Sequence, residues 1–369
     1  MRQKETGEIR PHTNNGGISM PQESCAVILA AGEGKRMKRG RPKALLPVLF
    51  KPMLQWVLDS AAAAGVARVC VVTGHLHEQV EQYLREQDPG TDTAYQSERK
   101  GTGHAVMTAA GFLRSNAAGG DVLILNGDAP FLTAGEIREA GRVHRENGNA
   151  VTVISSELEN PTGYGRIVRD PEDGRLTGIV EQKDAPPRVR AIREVNSGAY
   201  WFRTDDLLGI LSRIGNNNAQ GEYYLTDAVR LLIEQGGRAG AFQTGSAEAV
   251  LGANDCLQLS GLNGIARENI LRRHLLAGVD IPCRDGVVIG PDVVIGRDVC
   301  VLPGTILRGR TKIGDGCVVG PNTVLTDCKV GGNCVLSSVQ GTGCAVGQGL
   351  TATPYTVLDA DAGSATARQ

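Results

Sequence analysis

An apolar run from Cys25 to Ala31 gives way to Gly32, Gly34, Lys35 and Arg36, and then, beyond Pro42, to Lys43. Two glycines let backbone N–H groups approach an anion closely, and cations this near can neutralise charge on a triphosphate. An ordinary strand–helix turn with surface cations has the same composition. The spacing matches neither the phosphate loop that ends in Gly-Lys-Ser/Thr nor the Gly-x-Gly-x-x-Gly dinucleotide turn. A carboxylate, Asp128, closes a second apolar run as Asn126-Gly127-Asp128. A carboxylate there suits a hard cation, or equally the N-cap of a helix starting near Thr133.

The run Leu29-Ala30-Ala31-Gly32-Glu33-Gly34-Lys35-Arg36-Met37, with Pro42-Lys43 after it, resembles the signature of sugar-phosphate nucleotidyltransferases. The likeness recurs in order at Gln96 with Gly101-Thr102-Gly103-His104-Ala105, at Asn126 to Pro130, and at Pro161 to Ile167. It continues at Ile179 to Ala185, Glu194 to Gly198, Asn216 to Asp227 and Asn254. Within that group the chain most resembles the bacterial bifunctional N-acetylglucosamine-1-phosphate uridyltransferase/glucosamine-1-phosphate acetyltransferases. The resemblance implies attack of a sugar 1-phosphate on the α-phosphorus of UTP, with Mg2+ as cofactor.

Carried over residue by residue, the resemblance gives Arg36 and Lys43 the catalytic role on the triphosphate. Ala30, Ala31, Gly32, Gly34, Gln96, Gly101 and Thr102 are expected to bind the nucleotide, with the Gln96 amide reading the uracil imide edge. Gly165, Glu181 and Asn196 are expected to bind the sugar, and Asp128 and Asn254 to bind the metal. The chain departs from the common pattern at Asn126, at Gly40-Arg41 and at Gln182. A pyrophosphorylase for another sugar 1-phosphate, such as glucose 1-phosphate, is the nearest alternative. A non-catalytic regulatory subunit is another, although such proteins normally lose the phosphate loop that is present here.

These residues need a scaffold. Strand-like runs at Val69 to Thr73, Val122 to Leu125, Ala150 to Ser155, Ala199 to Phe202 and Gly240 to Gln243 alternate with helical ones. The helical runs are Met53 to Ala64, Glu78 to Glu86, Thr133 to Glu146 and Leu225 to Glu234. Such alternation predicts an α/β, Rossmann-like domain over 24–250, with a mostly parallel sheet and ligands at the carboxyl ends of its strands. A linker helix is expected over 251–280.

Beyond it the aliphatic residues Ile289, Ile295, Val301, Leu307, Ile313, Val319 and Leu325 recur every six positions, with Val330 and Leu336 after a one-residue slip. That period predicts a short parallel β-helix over 281–350, which the resemblance makes left-handed. Small residues two places earlier, Val287 to Thr323, suit the inward corner position, as do Cys317, Cys334 and Cys344 in place of a metal role. Regularity is expected to fade after about Leu336 and Gly347, giving little more than two coils. No histidine follows His274, so a general base for acetyl transfer is missing and that activity is not expected.

With 39 basic and 40 acidic residues in 369, the chain lacks the charge excess of a nucleic-acid or membrane-surface binder. No apolar run approaches the roughly 18 residues of a membrane helix, and no signal-type core opens the chain. A cytoplasmic protein with reduced cysteines is expected, with a disordered leader over 1–23 and a loose tail over 351–369. Trimerisation through the coils is implied by the resemblance.

Overall fold

A computed structural model describes residues 24–359. The expected leader over 1–23 lies outside the described residues, as does 360–369 of the expected tail. The first architecture is built on strands β1 (Cys25–Leu29), β2 (Arg68–Thr73), β3 (Asp92–Tyr95), β4 (Asp121–Asn126) and β5 (Val151–Glu157). It is completed by β6 (Arg166–Arg169), β7 (Leu176–Val180), β8 (Glu194–Arg203) and β9 (Ala239–Gln243). They form one sheet in the order β9-β5-β8-β4-β1-β2-β3, with the β6–β7 hairpin attached to β8.

The pairs β4–β1, β1–β2, β2–β3 and β9–β5 are parallel, whereas β8 runs antiparallel to both β4 and β5. Helices cover both faces, so the central strands are apolar throughout; Ala26, Val27, Ile28, Leu123 and Ile124 are fully buried. The helix Met53–Ala64 ends at Gly65, whose left-handed backbone (φ 92°) lets its N–H close on Ala61 and Ala62 carbonyls. Thr133 opens the helix Ala134–Glu146 with a capping box, accepting from Glu136 N while the Glu136 carboxylate accepts from Thr133 N. The cap is therefore Thr133, and Asp128 is free of that task.

Register puts the functional ends side by side. Leu29 pairs with Asn126, and Thr73 with Tyr95. The loops after β1, β2, β3 and β4 thus leave the sheet at one edge. In β8 the pairing to β5 slips between Asn196 and Ala199, a bulge at which Gly198 takes φ 77°. A Cβ on Gly198 would stand 2.0 Å from Asn126 Nδ2, so the glycine is what lets β8 pass the end of β4 so closely.

The helix Cys256–Leu276, capped by Asp255 on Gln258 N, leads into three stacks of very short parallel strands. The stacks hold five, four and four strands. This corrects the expected two-coil length: winding continues through Thr351–Ala352 to Val357–Leu358, so 351–358 is part of the coils and not a loose tail. The inward ladder runs Ile289, Leu307, Leu325, Gly341, Leu358.

Its first steps are 18 residues apart, three hexads, while later coils are one or two residues shorter and carry Gly341 or Ala352 where an aliphatic residue is expected. A Cβ on Gly341 would meet Leu325 Cδ2 at 2.9 Å and the sulfurs of Cys344 and Cys328 at 3.1 and 3.2 Å, so the two thiols fill the space of the missing side chain. Cys317, Cys328, Cys334 and Cys344 are all buried at the small inward position, with Thr305, Thr311 and Thr323.

The coils and the sheet domain share a core. Met37, Leu46, Val48 and Leu49 pack in one cluster with Leu262, Ile270 and Leu271 of the long helix and Val287 and Ile289 of the first coil. Leu49 N donates to Asn263 Oδ1 (2.9 Å), Lys51 Nζ bridges Asp59 and Asp292 (2.7 and 2.5 Å), and the Arg308 guanidinium lies 5.8 Å over the Phe50 ring. The side of the sheet that carries the loop after β1 is therefore anchored to the coils directly.

Candidate functional site

A cleft of about 660 Å³ opens at the carboxyl ends of β1, β3 and β4. Its walls include all the residues expected to act on the nucleotide and metal: Ala30, Ala31, Gly32, Gly34, Arg36, Lys43, Gln96, Gly101, Thr102, Asp128 and Asn254. The sheet edge brings them together. Ala30 N–H still belongs to the sheet, donating to Val72 O at 2.9 Å, so the loop proper begins after it. A Cβ on Gly32 would meet nothing within 4 Å, so no contact inside the protein requires a glycine there. Gly34 instead has φ 63° and sits where a Cβ would press on Lys43 Cβ at 3.0 Å, so it shapes the turn itself. It opens the short helix Lys35–Met37, which buries Met37 and turns Arg36 toward the cleft.

Lys43 is the centre of the site. Its ammonium makes an ion pair with Asp128 Oδ2 and donates to Asn254 Oδ1 at 2.9 Å. Asp128 follows β4, and Asn254 precedes the long helix, with its N–H donating to Gln258 Oε1 at 2.7 Å. Two oxygens from distant loops thus converge on one cation. That donor set fits Mg2+, which takes hard oxygen ligands in small number from protein and the rest from phosphate and water. Among the described residues no group of three or more His, Cys, Asp or Glu side chains forms a closed metal cage.

Gln96 is almost completely buried, and its backbone N–H donates to Thr73 O at 2.8 Å. Its side-chain Nε2 is occupied by Gly101 O (3.2 Å) and His104 Nδ1 (2.9 Å). The two-way amide expected from the sequence is thereby reduced to an acceptor: Oε1 can take a nucleobase N–H, while the donor half is spent inside the protein. Gly101 and Gly103 press against Tyr223 O, which accepts Gly103 N at 2.7 Å. Thr102 Oγ1 accepts Leu225 N at 3.1 Å, so the hydroxyl holds the loop 221–225 in place while the residue lines the cleft.

The expected sugar residues form a separate cluster and do not line this cleft. Gly165 O accepts Asn196 N at 2.9 Å, and a Cβ on Gly165 would stand 3.5 Å from both Glu181 carboxylate oxygens. Asn196 is spanned by its own neighbours: Nδ2 donates to Tyr200 Oη (2.6 Å) and Oδ1 accepts Gly198 N (3.0 Å). Burial, and then the nearby carboxylates Asp184, Asp227 and Glu222, push the Glu181 carboxyl up from its ordinary value, against the hydrogen bond it accepts from Thr226 Oγ1 at 3.1 Å. Asn126 connects cluster and cleft, lining the cleft while its Nδ2 donates to Ser197 O at 3.3 Å. Gln182 is a brace whose Oε1 accepts from Arg166 (2.7 Å) and Gly163 N (3.2 Å).

Glu33, Arg99 and Glu222 also line the cleft and were not singled out from the sequence as site residues. Arg99 stands inside the Gln96–Ala105 block, so its position was visible although its direction was not.

The family model described as nucleotidyl transferase matches residues 25–250, and that of the bacterial transferase hexapeptide (six repeats) matches 292–327. The bifunctional protein GlmU of Caldanaerobacter subterraneus subsp. tengcongensis is 44% identical over 343 residues, an alignment covering 91% of this chain and 73% of the relative. GlmU of Thermoanaerobacter pseudethanolicus is 45% identical (84% of this chain, 66% of the relative), and that of Cutibacterium acnes 40% (92% and 83%). On the strength of the domain match and these relatives, the chain belongs to the nucleotidyl transferase family, in the group that carries hexapeptide repeats after the transferase domain.

Proposed function

We propose that the chain transfers a uridylyl group from UTP to N-acetylglucosamine 1-phosphate, releasing pyrophosphate, with Mg2+ bound by Asp128 and Asn254. The observation that carries this reading is the convergence of Asp128 and Asn254 on the Lys43 ammonium at the phosphate-loop end of the sheet. A sugar-phosphate oxygen forms a bond to the α-phosphorus as the bond to the bridging oxygen of the leaving pyrophosphate breaks. Such a step needs in-line positioning and neutralised oxygen charge more than covalent help. Lys43 and Arg36 supply positive charge on the two sides of the loop, and Gly32 offers its backbone without side-chain obstruction. Bound Mg2+ would add Lewis-acid charge on the phosphate oxygens. Gln96 Oε1 accepts from the base, and Glu181, with Asn196 and the Gly165 backbone, accepts and donates to the sugar.

Pyrophosphate release over a matrix of four nucleoside triphosphates and several sugar 1-phosphates tests the assignment. UTP with N-acetylglucosamine 1-phosphate is expected to be the best pair. Faster turnover with dTTP, or with glucose 1-phosphate at equal concentration, would move the chain to a sister activity. A trimer joined through the coils is part of this reading, supported by the hexapeptide match.

Acetyl transfer is a different matter, because the relatives are named bifunctional. The coils described here run further than the hexad pattern implies, yet residues 281–359 contain no histidine to serve as general base toward an amine. We therefore expect no release of coenzyme A from acetyl-CoA with glucosamine 1-phosphate as acceptor. A rate above the enzyme-free control would refute this.

A further inference from the structure

One acidic residue stands among the cations of the phosphate loop. Glu33, between Gly32 and Gly34, faces the cleft that Lys35, Arg36 and Lys43 also line, and an unpaired carboxylate there would repel a triphosphate. It is not unpaired. Glu33 Oε2 lies 2.8 Å from the Arg99 guanidinium and 3.6 Å from Lys35 Nζ. Arg99 reaches it from the other wall, out of the segment between Gln96 and Gly101. That segment is pinned on both sides, by Gln96 N on Thr73 O (2.8 Å) and by Tyr223 N on Lys100 O (2.7 Å). The guanidinium is therefore carried by a fixed backbone to the phosphate-loop rim of the cleft, half exposed and with hydrogen-bond donors to spare.

We propose that Arg99 is a nucleotide-positioning residue that exchanges Glu33 for oxygens of the outer phosphates when a triphosphate enters, and that Glu33 holds it and Lys35 in reserve until then. A planar guanidinium suits this exchange, because carboxylate and phosphate present oxygens to the same fork of N–H groups. The partner it leaves sets the cost: a ligand must bring more negative charge than one carboxylate to draw Arg99 away. A triphosphate does so at its outer phosphates; a monophosphate is also more highly charged than a carboxylate near neutral pH, but it has no outer phosphate to offer Arg99. The pair thus favours triphosphate over spent nucleotide at the cleft mouth. This deepens the uridylyltransferase reading and rests on it for the identity of the nucleotide only.

The test is equilibrium binding of UTP and UMP to the full chain and to Arg99→Ala, Arg99→Lys, Glu33→Gln and the Arg99→Ala/Glu33→Gln double variant. Arg99→Ala should weaken UTP by about tenfold or more, the loss of a charge-assisted hydrogen bond, and leave UMP unchanged. Arg99→Lys should restore part of the UTP affinity. Glu33→Gln should tighten UTP, and in the double variant the loss caused by Arg99→Ala should persist, because Arg99 serves the phosphates whether or not Glu33 holds it beforehand. In steady state the Arg99→Ala effect should fall on the KM for UTP with kcat nearly unchanged. UTP binding by Arg99→Ala equal to that of the parent, or an equal loss for UMP, overturns the proposal and leaves the uridylyltransferase reading standing. A parent that prefers ATP overturns that reading instead, and the same contrast with ATP and AMP then decides the role of Arg99.

Discussion

Replacing Asp128 with asparagine should lower turnover at least about a hundredfold, the scale on which one positioned charge at a transition state is commonly felt. The substitution keeps the shape of the side chain and removes only its charge. Asp128 lies in the turn after β4, outside the buried core, and the helix that follows is capped by Thr133, so neither the core nor that helix cap depends on the carboxylate. What is lost is the only negative charge of the oxygen pair that meets the Lys43 ammonium. Asn254 would remain, as a neutral ligand with little hold on a hard divalent cation. The Mg2+ concentration giving half-maximal rate should therefore rise together with the fall in turnover. A well-folded Asp128→Asn protein, shown by an unchanged circular dichroism melt, that runs near the parent rate would mean that the metal lies elsewhere.

The part of this arrangement legible in the sequence is the part written in contiguous residues. Val122 to Leu125 reads as a strand because both its faces are covered, and Met53 to Ala64 as a helix because its apolar residues return on one side. The strand Asp92–Tyr95 is a different case: it is an edge strand with two exposed polar residues, and nothing in Asp-Thr-Ala-Tyr separates it from a loop. The β6–β7 hairpin is similarly masked, since Arg166 stands inside it and is buried only because carbonyls and Gln182 surround its guanidinium.

In the coils, the hexad count stops where the turns shorten and Gly341 replaces an aliphatic residue, although the winding goes on. The core there is kept full by the sulfurs of Cys328 and Cys344, a substitution in space that no periodicity records. For the site, the glycines and cations of the loop allow anion chemistry or an ordinary turn, and the family resemblance is what chooses between them. The joining of Asp128 to Asn254 comes from the family resemblance, and the clasp of Glu33 on Arg99 from the fold alone. Gln96 shows the limit of reading a residue type as a role: its amide offers a donor and an acceptor, and His104, eight residues on, has already taken the donor.

Lys43→Ala is expected to be as damaging to turnover as Asp128→Asn, at least about a hundredfold, and for the opposite electrostatic reason. The lysine begins the short helix Lys43–Leu45, whose buried residues are Ala44 and Leu45, so truncating it leaves the local core in place. Removing the ammonium should deprive the phosphates of a positive charge that the loop holds ready at the Asp128 and Asn254 oxygens. In the free protein that same ammonium occupies the space between Asp128 and Asn254, and so competes with a divalent cation for them. The two substitutions should consequently separate in a measurement made without nucleotide. Mn2+ binding, followed by the loss of the free-ion electron paramagnetic resonance signal, should weaken in Asp128→Asn and be retained or strengthened in Lys43→Ala. Turnover falls in both, so activity alone cannot tell ligand from counter-charge, whereas the direction of the Mn2+ shift can. Weakened Mn2+ binding in Lys43→Ala would place the lysine as a support for the metal loops, and near-parent turnover in that variant would remove it from the phosphate chemistry.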